Sequence, residues 1–68
     1  MNEEALNLSI RKFLKMVGIR SQREIEQAVQ KALAAGRLRG NESLPASVRL
    51  SVPELGLDVV LEGKVELE

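Results

Sequence analysis

The chain has 68 residues, 44% of them hydrophobic, with ten basic and ten acidic side chains and no histidine or cysteine. That length allows one small domain, and the apolar content excludes a disordered or low-complexity chain. Disulfides are impossible, the two commonest transition-metal ligands are missing, and no apolar run approaches the eighteen or so residues of a membrane span. A domain this short buries little surface, so a second copy of itself is the remaining means of stabilisation and a homodimer is expected.

The balanced charge hides an asymmetry. Residues 1–40 carry eight Lys/Arg against four acids, and residues 41–68 carry two against six. The halves therefore attract each other, or attract a second copy arranged head to tail.

In chain order, Asn2 is a good N-cap, with Glu3 and Glu4 in the first turn to complement the helix dipole. The acidic start, without a following apolar segment, is unlike a secretory signal, and a cytoplasmic location is expected. Apolar residues recur at Leu6, Ile10, Phe13, Leu14 and Val17, the spacing of a helical stripe, which predicts a helix over 3–17. Phe13, the one aromatic residue, is expected as its core anchor, with a cost of about 3–5 kcal/mol on truncation to alanine.

Gly18 then reads as a left-handed helix stop, and Ser21 with Glu24 three residues on reads as a capping box opening a second helix over 22–35. That second helix presents Ile25, Ala28, Val29, Ala32 and Leu33, a face small enough for close approach, and ends at Gly36 or frays on to Gly40. Residues 36–45, with two glycines, an asparagine and a proline, read as a loop.

Beyond it the periodicity becomes two. Val48, Leu50 and Val52 alternate with polar residues, Leu57, Val59 and Leu61 follow, and Pro53-Glu54-Leu55-Gly56 lies between as a turn with proline at its fixed φ and glycine at a positive one. A hairpin over about 46–66 results. Setting Val52 opposite Leu57 places Leu50 opposite Val59, Val48 opposite Leu61 and Gly63 opposite Ala46, with all six large apolar residues on one face. Residues 64–67 are expected to overhang without a partner. The fold class expected is α+β: two antiparallel-packed helices followed by a two-stranded antiparallel hairpin, a single domain over 1–68.

Chemistry-bearing patterns are sparse. No serine sits in a nucleophile elbow, and the segment from Gly36 to Gly40 lacks the lysine and following helix of a phosphate-binding loop, so neither enzyme activity nor a cofactor is expected. Asp58 and Glu62 on one strand stand about 13 Å apart, too far to share an ion, and no metal site is expected. Two candidate surfaces remain. Arg11, Lys15, Arg20, Gln22 and Arg23 surround the predicted interhelix turn and imitate a helix-turn-helix, whereas the neutral total and the acidic hairpin oppose binding to phosphate, leaving nucleic acid as the lesser alternative. Val60, the lone apolar residue on the polar face of the hairpin, together with Lys64, Val65 and Leu67 at its open end, marks the candidate protein interface, for a homodimer or an unidentified protein partner.

The run from Ile10 through Met16-Val17-Gly18-Ile19-Arg20-Ser21-Gln22-Arg23 to Glu26, followed by an alanine-rich helix and a proline-glycine hairpin, resembles a family of very short bacterial proteins of unknown function. The resemblance covers nearly the whole chain and implies a two-helix, two-strand domain with no assigned activity and no functional residues to carry over.

Overall fold

A computed structural model describes residues 1–68. The chain divides into two compact units, Met1–Ala35 and Gly36–Glu68.

The first unit is one uninterrupted helix, α1 (Glu3–Ala34), of 32 residues. It opens as its sequence requires: the Asn2 side-chain carbonyl accepts from the Ala5 N–H at 3.1 Å, and Glu3 and Glu4 occupy the first turn. It closes at Gly36, which adopts a φ of +75°, while the Ala35 N–H donates to the Lys31 carbonyl at 3.1 Å. That left-handed glycine just past the last helical residues is the helix end read from the sequence at Gly36.

The expected break at Gly18 is absent, and so are the two antiparallel helices. Gly18 has no positive φ. Ser21 makes no capping bond, and Glu24 instead accepts from the Arg20 guanidinium Nε at 2.9 Å. Free-energy magnitudes explain the outcome. A glycine inside a helix costs about 1 kcal/mol relative to alanine, whereas a break orphans up to four carbonyls and four N–H groups and requires a second nucleation. The apolar pattern also runs through the supposed break. Leu6, Ile10, Leu14, Val17, Ile25, Ala28 and Ala32 lie on one side of a straight helix in an eleven-residue repeat of steps four, four and three, with Ser21 the one polar residue in the row.

A Cβ built on Gly18 meets nothing within 4 Å. Gly18→Ala should therefore stabilise α1 by about 1 kcal/mol and raise the melting temperature by roughly 4–8 °C, read by circular dichroism. A lowered melting temperature would restore the left-handed stop.

The second unit is the hairpin. β1 (Ser43–Val52) and β2 (Leu57–Glu66) pair antiparallel, joined by a 3-10 turn over Pro53–Leu55. Gly56 closes the turn at φ +65°, its N–H donating to the Pro53 carbonyl at 3.0 Å. The register is the one read from the alternation, with Val52 opposite Leu57, Leu50 opposite Val59, Val48 opposite Leu61 and Ala46 opposite Gly63.

It extends further than expected. Ser43, Leu44 and Pro45 lie opposite Glu66, Val65 and Lys64, and the Leu67 N–H donates to the Glu42 carbonyl at 2.9 Å. The predicted overhang of residues 64–67 is thus paired, and the predicted loop ends before Ser43. Proline is admitted at position 45 because ladder bonds alternate along an antiparallel strand. Glu42 and Leu67 form a bonded pair, so Pro45 is at a non-bonded position where its nitrogen faces the outer edge and no N–H is missed.

No side chain is buried. Phe13, expected as a core anchor, is 47% exposed, because a single helix supplies no opposing helical surface to enclose it.

Candidate interaction surfaces

Three surfaces carry the chain's chemistry. On α1, Arg11, Lys15 and Gln22 fall within about 40° of one another around the helix at roughly 100° per residue. Arg23 is about 80° further round and Arg20 further still, the latter bound to Glu24. The helix-turn-helix that these residues imitate in the sequence does not form, because the turn that would present a recognition helix is itself helical. The structure instead gathers Lys12, Lys15, Arg20 and Arg23 around Met16 and Ile19 in a shallow groove. Both apolar residues are about half exposed. Sequence reading missed this groove by assigning Ile19 to the turn, and the three-residue spacing of Met16 and Ile19 was the available signal.

The polar face of the hairpin is ordered by two cross-strand contacts. Arg49 grips Asp58 through two parallel bonds, Nε to Oδ1 at 2.8 Å and Nη2 to Oδ2 at 2.7 Å. The guanidinium holds the Asp58 carboxyl below its ordinary pKa and raises that of Arg49. Ser43 Oγ donates to Glu66 Oε1 at 3.0 Å at the far end of the ladder. Val60 stands opposite Arg49 on this face and is 58% exposed. Lys64 shares the face, whereas Val65 and Leu67 lie on the opposite, apolar side and are half-buried. The candidate interface residues therefore divide between the two faces of one strand.

Ala46 and Gly63 face each other where the ladder carries its smallest side chains, leaving a hollow bordered by Pro45, Ser47, Glu62 and Lys64.

The third surface is the loop before β1. The Glu42 carboxylate accepts from the N–H groups of Arg39, Gly40 and Asn41 at 2.9 to 3.2 Å. Gly40, at φ +104°, gives the bend that lets successive amides converge on one anion. These bonds, that from Arg39 first and Gly40 next, hold Glu42 below its ordinary pKa. A depressed folded-state pKa stabilises the loop at and above the ordinary glutamate range, and the contribution is lost as pH falls through the depressed value. The amide proton shifts of Arg39, Gly40 and Asn41 should thus titrate together, with a midpoint below that of an unperturbed glutamate. Glu42→Gln should abolish the titration, and its persistence in that variant would refute the assignment.

A family model covers residues 1–68, the whole of the chain. The chain belongs to DUF6494, a family of unknown function. The family supplies no assigned activity or residue roles. No curated protein and no solved structure matches. No helix is long and apolar enough to cross a membrane.

Proposed function

We propose that this member of DUF6494 is a non-enzymatic interaction module that works by associating with itself. One observation carries the reading: no side chain is buried, while fifteen large hydrophobic residues are exposed, among them Leu6, Ile10, Phe13 and Leu14 on α1 and Val48, Val59 and Leu61 on the hairpin. Helices draw most of their stability from packing an apolar stripe, and an isolated two-stranded hairpin is marginal in water. Each unit, taken by itself, carries such a face. A second copy is the partner present wherever the chain is made, and it offers the same faces in return.

Sedimentation equilibrium against a monomer mass of 7.5 kDa tests the reading. A concentration-dependent rise to twice that mass or more is expected. A monomer that persists to about millimolar concentration, where even a weak dimer forms, overturns it.

The alternative, weak nucleic-acid binding along α1, is favoured by one observation: Arg11 and Lys15 form no ion pair and share a side of the helix with Gln22. Retardation of duplex at about 50 mM salt would support it, and no shift at micromolar protein would remove it.

A further inference from the structure

We propose that the open edge of β2 pairs antiparallel with β2 of a second copy, with Gly63 opposite the partner's Gly63, to build a four-stranded sheet. The proposal rests on the self-association reading and assigns it a surface and a register.

The choice of edge follows from the backbone. The bond from the Leu67 N–H to the Glu42 carbonyl sets the alternation, so the odd-numbered residues of β2 bond to β1. Asp58, Val60, Glu62, Lys64 and Glu66 turn their N–H and C=O groups outward in an unbroken row. The outer edge of β1 is interrupted by Pro45, which has no N–H to offer. The β2 edge is therefore the one able to accept a full strand.

The choice of register follows from overlap and then charge: centring the pair on Val59 or Val65 opposes only five or three residues of β2, and among the remaining alignments charge decides. Outward-facing residues must bond to outward-facing residues, so two symmetric copies can slide only in discrete steps. With Glu62 opposite itself, Asp58 also meets Glu66, and like charges oppose along the strand. With Lys64 opposite itself, Glu62 meets Glu66. With Val60 opposite itself, Asp58 meets Glu62. With Leu61 opposite itself, Lys64 meets Asp58, whose two oxygens are already held by Arg49.

With Gly63 opposite the partner's Gly63, Glu62 faces the partner's Lys64 twice over, once on each side of the axis, and Glu66 faces the partner's Val60. Asp58 then lies opposite the partner's Glu68, which follows Leu67, the last residue bonded across the hairpin. On the other face Leu61 meets the partner's Val65 and Val59 meets the partner's Leu67, so the apolar face runs unbroken across four strands. Cross-strand pairs of opposite charge and of apolar residues are both stabilising, whereas directly opposed like charges are not.

The chain has no cysteine, which makes cross-linking decisive. A Cβ at Gly63 meets nothing within 4 Å. Opposed residues at a non-bonded antiparallel position have Cα atoms about 4.5 Å apart, within disulfide range. Oxidised Gly63→Cys should form a covalent dimer about tenfold faster or more than Leu61→Cys, which faces the partner's Val65. Lys64→Glu, which sets glutamate against Glu62 at two places, should weaken the dimer about tenfold, and the charge-swapped Glu62→Lys with Lys64→Glu should restore it.

If wild-type protein dimerises while Gly63→Cys cross-links no faster than Leu61→Cys, the register is overturned and self-association stands. If the double swap fails to restore a dimer lost in the single variant, the charge pairing is overturned. A wild-type chain that stays monomeric overturns both readings.

Discussion

Gln22→Pro is expected to cost about 3 kcal/mol and to melt the C-terminal part of α1. Proline at this position removes the bond from residue 22 to the Gly18 carbonyl and drives its ring into the preceding turn. The prediction separates the two architectures sharply. Were a second helix to begin after Ser21, position 22 would be its first residue, where proline is favoured and would leave stability unchanged or improved. In a continuous α1 the residues beyond it, 23–34, form a segment of 12, too short to hold helical structure by itself. Circular dichroism should show a marked loss of helix signal and a lowered melting temperature. Retained ellipticity with an unchanged transition would reinstate two helices.

Gly56→Val is the second large effect. Gly56 holds φ +65° and ψ +19° at the end of the 3-10 turn, a left-handed conformation that is especially unfavourable for a β-branched residue. An added Cβ meets nothing within 4 Å, so the penalty is one of backbone conformation and not of crowding. About 1–2 kcal/mol is expected, a large share of what a two-stranded ladder can hold. Amide exchange along β1 and β2 should accelerate in the variant, while Gly56→Asn should lie between it and the native protein, because asparagine tolerates the left-handed region better. Equal protection in all three would show that the turn does not set the hairpin's stability.

Period-two alternation made the hairpin legible. A one-residue slip would have moved every apolar side chain to the wrong face, so Val48, Leu50, Val52, Leu57, Val59 and Leu61 admitted a single register, and Gly56 took the positive φ read for it. The start of β1 was not legible, because a proline reads as a breaker until the neighbouring ladder bonds show which way its nitrogen faces. The Gly18 and Ser21–Glu24 signals misled for a related reason. The residues that end and begin helices are also tolerated within them, at a cost smaller than that of a break, and the spacing from Leu6 to Ala32, which keeps its phase on both sides of Ser21, was the stronger evidence. Of the candidate surfaces, the charged and apolar residue types were readable along the chain and their grouping was not. Glu42 passed unnoticed, since its role depends on three amides brought together by the bend at Gly40.

Pro45 has a consequence for the size of any assembly built on these strands. A sheet unit open at both edges is a bifunctional monomer, and such units add end to end into ribbons. One edge stopped by a proline leaves a unit of valence one. Two such units consume each other's reactive edge on meeting, and growth terminates at the pair, with a proline-marked strand on each outer side.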